Sequence, residues 1–258
     1  MKNMFAIVSV PVCPMRKESA HRSEMVSQLL WGEWGTVLEE TTDFVRIRHQ
    51  YDQYEGWCQR SQLWLNDTAP AAGSELTADW VNTIDVYGEP MQVSFGTPLD
   101  LADDPVLSAR YGIGYSGNRL TPYPERSPAL IEQLGKQFIN TAYLWGGRSV
   151  FGIDCSGFVQ QIYRCFGIPL PRDAYQQAEL GEVVGFLQET IPGDLAFFDN
   201  AEGRITHVGI LLTPDRIIHA SGQVRIDRID SMGIVNTRTG ERTHQLRLVK
   251  RVPNPQKP

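Results

Sequence analysis

Short apolar runs separated by turn-forming residues dominate the first half of the chain. Ala6-Ile7-Val8, Thr36-Val37-Leu38, Phe44-Val45-Arg46-Ile47-Arg48 and Gly56-Trp57-Cys58 each read as a short strand. Strands at this spacing predict a small barrel. The stretch from Asn66 to Ser74 is rich in small and turn-forming residues and reads as a linker. A second β-like block follows from Trp80 to Leu120, carrying Ile84-Asp85-Val86-Tyr87 and Met91-Gln92-Val93. Gly117 to Pro128 contains three prolines and reads as a second linker. This divides the chain into a first β-rich block over 1–70, a second over 75–122 and a remainder over 123–258.

In the remainder the period changes. Ser127 and Pro128 suit an N-cap and first helical position, and Leu130, Ile131, Leu134, Phe138 and Ile139 follow at helical spacing. Tyr143-Leu144-Trp145-Gly146-Gly147 closes that segment. A second helix begins near Cys155, with Phe158, Val159, Ile162, Tyr163 and Phe166 on one face, and Gly167 and Pro169 stop it. Strands are then predicted over 194–199, 206–212, 216–221, 224–229 and 246–252. Helices followed by a run of antiparallel strands predict an α+β domain.

Composition narrows the classes. Of 258 residues, 41% are hydrophobic and 21% charged, which is globular and not disordered. The net charge of −6 and the lack of a basic tract argue against nucleic acid. Four cysteines are too few for a disulfide scaffold. No stretch approaches the ~20 apolar residues of a membrane span. The apolar run Phe5 to Val12 is short, contains Pro11 and has no small-residue cleavage site. Val10-Pro11-Val12 before Cys13 also lacks the small residue of a lipoprotein signal. These features predict a cytoplasmic chain with no membrane partner.

Three residues stand out chemically. Cys155 lies in Ile153-Asp154-Cys155-Ser156-Gly157-Phe158, at a predicted helix start. Unpaired N–H groups and the helix dipole there favour thiolate, and a cysteine so placed can titrate at ~3.5–7.5. A buried structural thiol is the alternative. His207 begins one strand and His219 lies in the next, with the turn Thr213-Pro214-Asp215 between them. A hairpin with partner numbers totalling about 426 sets His207 beside His219 on one face, and a one-residue slip would separate them. A base and its orienter need this arrangement; two structural histidines would show the same pattern. Zinc binding by His207, His219 and Cys155 lacks any supporting ligand spacing, so no metal is expected. Cys13, Cys58 and Cys165 read as structural, and His21, His49 and His244 have no local constellation.

Together, Asp154-Cys155-Ser156-Gly157-Phe158-Val159, His207-Val208-Gly209-Ile210 and Ile218-His219-Ala220 strongly resemble the NlpC-type cysteine peptidases of bacterial cell-wall peptides. Tyr143-Leu144-Trp145-Gly146-Gly147 resembles the segment before that family's nucleophile helix. Pro171-Arg172-Asp173 resembles the segment after the helix, and Pro192-Gly193-Asp194-Leu195 the first central strand. These motifs occur in order over about residues 125–252. The resemblance implies a papain-like core, a nucleophile helix on an antiparallel sheet, with Cys155 as nucleophile, His207 as general base and His219 as orienting residue. Tyr143 matches a family tyrosine near the oxyanion.

The β-rich half resembles two bacterial SH3-like barrels, an arrangement found in γ-D-glutamyl-L-diamino acid endopeptidases of the dipeptidyl-peptidase VI type. That implies cleavage of murein peptides such as L-Ala-γ-D-Glu-diaminopimelate with a free N-terminal L-Ala, without a cofactor. It further implies that Glu55 pairs with the substrate ammonium and that Tyr87 helps bind that terminus. A placed carboxylate is the strong way to read an ammonium. By the same resemblance Asp154 and Ser156 hold the L-Ala-γ-D-Glu portion. One departure is Ala174, where many relatives carry a small hydroxyl residue soon after the Arg-x pair. Two rival readings are an amidase or acyltransferase on the same core, and a non-catalytic murein-peptide-binding module.

Overall fold

In the computed structural model, which describes residues 4–253, the chain divides into two units. The first takes the residues up to 122 together with 145–151; the second takes 123–144 and the chain from 152 onward.

The first unit starts with β1 (Phe5–Val8), β2 (Val12–Arg16), β3 (Met25–Leu30), β4 (Trp34–Glu40), β5 (Phe44–His49), β6 (Glu55–Gln59) and β7 (Leu63–Asn66). They form one antiparallel sheet in the order β3-β2-β6-β5-β4-β1-β7. Side chains along β2 and β6 alternate in burial, as a sheet with one packed face requires. The packed face collects Ala6, Val8, Cys13, Met15, Leu29, Val45, Ile47 and Cys58.

Next come β8 (Leu76–Thr77), β9 (Val81–Val86), β10 (Glu89–Ser94), α1 (Asp100–Asp103), α2 (Pro105–Tyr111), β11 (Ile113–Gly114) and β12 (Arg119–Leu120). The second block is therefore not β throughout: residues 100–103 and 105–111 are helical. The signal was local, because Asp104 caps the N–H groups of Val106 and Leu107, Pro105 starts the helix, and Gly112 ends it in the left-handed conformation. The strands here form a three-stranded sheet β10-β9-β11 and a pair β12-β8. Their core residues Ile84, Val86, Val93, Leu107 and Tyr111 pack with Ile7 and Trp31 of the first block.

The segment 145–151 carries β13 (Arg148–Ser149). Arg148 is fully buried and forms an ion pair with Glu33 at 3.0 Å. The same Glu33 oxygen lies 3.4 Å from His49 Nε2, and His49 Nδ1 reaches Asp52 at 2.8 Å. Burial alone would lower the His49 pKa, but Asp52 and Glu33 together outweigh it and raise it.

The second unit contains α3 (Pro128–Gln137), β14 (Gly152–Ile153), α4 (Cys155–Arg164), α5 (Ala174–Gln177), β15 (Glu182–Val184), β16 (Leu195–Asp199), β17 (Ile205–Thr213), β18 (Arg216–Ser221), β19 (Gln223–Asp230), β20 (Gly233–Val235) and β21 (Arg242–Arg251). Ser127 caps α3 and Pro128 begins it. The sheet order is β15-β21-β16-β17-β18-β19-β20, and β21 also pairs with β20, so β16 to β21 close a six-stranded ring. Ala196, Phe198, Leu211, Ile217, Ile229, Ile234 and Val249 form one core cluster of this ring. Residues of the opposite parity meet the helices: Ile218 lies where a Cβ on Gly135 of α3 would be 3.1 Å away, and Phe158 of α4 packs edge-on against Phe138. Among the described residues no helix is long and apolar enough to cross a membrane.

Candidate active site

Helix α4 begins at Cys155 because Asp154 caps it. The Asp154 carboxylate accepts the Gly157 N–H at 2.7 Å. Arg172 holds the same carboxylate with two nitrogens, at 3.1 and 2.5 Å, and donates to Ser156 Oγ at 2.8 Å. Ser156 in turn donates to Asp154 at 3.2 Å. Asp154, Ser156 and Arg172 are all buried. The pair expected to hold substrate thus also forms the internal lock that fixes the helix start. The motif Asp-Cys-Ser-Gly followed by a distant arginine contained that signal, but sequence alone did not show the arginine to be its anchor.

Cys155 is 5% exposed, and its sulfur lies 4.0 Å from the Thr206 carbonyl oxygen. The N–H groups of Val208 and Ser156 face it. Burial and the neighbouring Asp154 nonetheless push the thiol up to about 12, against these N–H groups and Arg172. A helix start alone would depress the thiol. Removal from water outweighs the helix start here, so the resting sulfur is a neutral thiol.

His207 owes its placement to a bulge. On β16, Phe198 pairs with His207 while Asp199 pairs with Ile205, leaving Thr206 as an extra residue on β17. Such a bulge re-aims the side chain beside it. The register of β17 on β18 differs from the predicted one by two residues, since Ile210 pairs with Ile218 and Leu211 with Ile217. His219 therefore stands opposite Gly209 and diagonal to His207. Because side chains alternate with period two, the face is unchanged. Gly209 is what allows the diagonal contact: a Cβ there would lie 2.8 Å from the His219 Cβ.

His207 Nε2 and His219 Nδ1 share a hydrogen bond of 2.8 Å. His219 Nε2 lies 3.1 Å from an Asp227 carboxylate oxygen. Burial, followed by the neighbouring His219 and His244, drives the His207 pKa well down. Burial also lowers His219, partly opposed by Asp227. Both imidazoles are neutral at rest. His244, which sequence reading left without a role, stacks on His207 with centroids 4.1 Å apart and planes 24° apart. Burial lowers its pKa to about 4. No local pattern marks His244, because β21 lies far along the chain from His207 and joins its strand through β16.

Among the described residues, His207, His219 and His244 each offer a ring nitrogen within 4.8 Å of the others, a group that could hold a metal. In this arrangement the facing nitrogens of His207 and His219 already bond to each other, and His244 Nδ1 bonds Thr243 Oγ1 at 2.9 Å.

Tyr143 is half-buried, and its N–H donates to Gly222 O at 3.0 Å. Burial, then the charges of Cys155 and Asp154, raise its pKa, so the phenol keeps its proton and can donate. The structure thus brings Tyr143, Asp154, Cys155, Ser156, His207 and His219 together in the second unit. Glu55 and Tyr87 belong to the first unit. Glu55 on β6 bonds Arg46 and Arg48, each at 2.9 Å, and the Arg48 bond is the main reason its pKa is lowered. Tyr87 follows β9 at a positive φ of 53°, is 64% exposed, and packs edge-on against Trp64 and Tyr111.

A buried thiol at a helix start, beside a bulged strand whose imidazole bonds a second imidazole, is the kind of arrangement a papain-like cysteine peptidase requires. Residues 140–243 match the NlpC/P60 family, and residues 15–63 match the bacterial dipeptidyl-peptidase SH3 domain. The chain belongs to the NlpC/P60 family and carries an N-terminal SH3-like domain. It is 27% identical over 255 residues to a Bacillus cereus γ-D-glutamyl-L-lysine dipeptidyl-peptidase, covering 86% of this chain and 76% of that one. It is 35% identical over 113 residues to a Haemophilus influenzae protein named as a probable endopeptidase, covering 43% and 68% respectively. The crystal structure of an NlpC/P60 family protein from Bacillus cereus shares the fold, with a TM-score of 0.74 at 20% identity, covering 96% of this chain and 99% of that one.

Proposed function

We propose that this cysteine peptidase hydrolyses the γ-D-glutamyl–diamino acid bond of murein peptides bearing a free N-terminal L-Ala. The reading is carried by the thiol–imidazole–imidazole array of Cys155, His207 and His219 joined to a dipeptidyl-peptidase-type SH3 domain. The similar Bacillus cereus protein named for a γ-D-glutamyl-L-lysine activity supports it.

In this reaction His207 takes the thiol proton as Cys155 Sγ attacks the γ-carbonyl carbon. The oxyanion is met by backbone N–H groups at the start of α4 and by the Tyr143 hydroxyl. The imidazolium returns its proton to the leaving amine, and the C–N bond breaks to leave a thioester. Water, activated by the same imidazole, hydrolyses the thioester and restores the thiol. No cofactor enters any step. Recognition of the amino terminus is assigned to Glu55 and Tyr87, and contact with L-Ala-γ-D-Glu to the Asp154–Ser156 segment. The arginines that fix Glu55 also oppose an incoming ammonium, which makes Glu55→Gln the direct test of that assignment. A cytoplasmic enzyme of this kind would recycle soluble wall peptides.

The deciding assay compares L-Ala-γ-D-Glu-L-Lys, its meso-diaminopimelate counterpart, and N-acetylated versions of both, in reducing buffer. Cleavage of the free peptides alone, lost in Cys155→Ala, is expected. Equal cleavage of acetylated and free peptides would remove the amine gate and keep the peptidase. Failure to cleave any of them would overturn the substrate assignment.

A further inference from the structure

We infer that Asp227 is a positioning residue of the catalytic centre: it fixes the tautomers of both histidines and so leaves the correct nitrogen of His207 free for the thiol. The inference rests on the reading of His207 as the base of Cys155.

The placement of Asp227 on β19 is what a carboxylate with a fixed task requires. It is 2% exposed. One oxygen lies 3.1 Å from His219 Nε2, and Arg225 Nε lies 2.7 Å from the same oxygen. The other oxygen accepts from Arg225 Nη2 at 2.9 Å and from the Thr237 N–H at 2.8 Å. Arg225 is anchored in turn, donating to Asn236 Oδ1 at 2.6 Å. The carboxylate is thereby aimed and kept ionised before any substrate arrives.

An ionised carboxylate only accepts. His219 must therefore carry its proton on Nε2, which leaves Nδ1 as a lone pair. That lone pair can bond His207 only if His207 donates from Nε2. The proton of neutral His207 is then on Nε2, and Nδ1 is the unprotonated nitrogen available to Cys155. Each tautomer follows from the one before it, and the chain begins at Asp227. Asp227 itself takes no proton; it orients His219 and offsets the positive charge that appears on His207 after proton transfer.

The discriminating variant is Asp227→Asn. An amide nitrogen facing His219 Nε2 donates where the carboxylate accepted. His219 then carries its proton on Nδ1 and donates to His207 Nε2, which puts the His207 proton on Nδ1, facing the thiol. The expected result is a fall in kcat of about 10²–10³-fold with KM little changed, less than the ~10⁴ seen when an aspartate touching the base itself is amidated. Asp227→Ala, which removes the carboxylate without imposing the wrong tautomer, should lose less than Asp227→Asn. A merely structural aspartate predicts the reverse order.

Nitrogen-15 NMR of the imidazoles in the wild-type protein tests the same inference without substrate or variant. Nε2–H forms of both His219 and His207 at neutral pH support it; an Nδ1–H form of His219 overturns it. Wild-type kcat in Asp227→Asn also overturns it. Because the tautomers are read on the resting protein, failure of the substrate assignment leaves this test intact, and activity surviving in Cys155→Ala would refute the nucleophile separately.

Discussion

Adding one methyl group at Gly209 should disable the site while leaving the protein folded. A Cβ there would meet the His219 Cβ and the Ile217 Cδ1, each at 2.8 Å, where ordinary contact begins at 3.4 Å. The neighbours must yield by about 0.6 Å. The end of Ile217 can rotate, but the His219 Cβ is tied to the backbone and its ring is bonded at both nitrogens. A shift of that size away from His207 opens their 2.8 Å bond to about 3.4 Å, past useful hydrogen-bond length. Overpacking should cost ~1–3 kcal/mol of stability. Misplacement of a catalytic group approaching 1 Å costs up to ~10²-fold in rate, so Gly209→Ala should lose about 10–10²-fold in kcat. The assay is steady-state cleavage of the free tripeptide beside urea unfolding. Gly185→Ala is the control, since a Cβ there meets only Glu189 Oε2 at 3.8 Å. If Gly209→Ala retains wild-type kcat, the close approach of His219 to His207 is not what sets the rate, and the reasoning fails.

The remaining predictions concern charge. Arg172→Met leaves the buried Asp154 carboxylate without its two-pronged partner and should destabilise by ~3–5 kcal/mol in urea unfolding, with Arg172→Lys recovering only part. Glu33→Ala strips the carboxylate between Arg148 and His49 and should cost a similar ~3–5 kcal/mol, read by the same method. Since burial lowers the His207 pKa below 6.5, the acid limb of kcat/KM should lie below pH 6.5; a midpoint above it would refute a neutral buried base. His207, His219 and His244 all have lowered folded-state pKa values, so the unfolded chain binds more protons below 6.5. Their effect on stability is absent above pH 6.5 and becomes a loss as pH falls from 6.5 toward about 4, and His244→Phe should flatten that fall in Tm.

The candidate thiol and both candidate histidines were legible as positions because each sits in a local pattern: Cys155 after a capping aspartate, His207 and His219 on either side of a Pro-Asp turn. Their common face was also legible, since an error of two residues in register preserves the face. The register itself was not, because β17 carries an extra residue between Leu211 and Thr213 at the turn into β18, which spacing alone does not reveal. His244 and Asp227 were invisible for a related reason. His244 comes in on β21, a distant strand that pairs with β16, and Asp227 stands diagonal to His219 through the register of β18 on β19; no local sequence pattern encodes either pairing. Residues 105–111 were legible in part, since Asp104, Pro105 and Gly112 spell a helix start and stop, but strand-like neighbours masked them. Arg172 and Arg148 were hidden by their charge: fully buried arginines run against expectation and become readable only with Asp154 and Glu33 in place.

Burial shapes the chemistry as well as the fold. It acts on both reacting partners in the same direction, raising the Cys155 thiol to about 12 and lowering the His207 imidazole, so the neutral pair is strongly preferred at rest. A standing thiolate would need a counter-charge close to the sulfur, and the Asp154 carboxylate next to it pulls the other way. In the proposed reaction, proton transfer then accompanies attack on the carbonyl, when the negative charge leaves sulfur for an oxygen that backbone N–H groups can meet. The positive charge left on His207 is then the expensive product. His219 lies between it and a carboxylate that Arg225 and Thr237 keep ionised. In that reaction the site would lower the barrier at the base end, and the same burial that holds the thiol neutral would make that distant carboxylate effective across a buried imidazole.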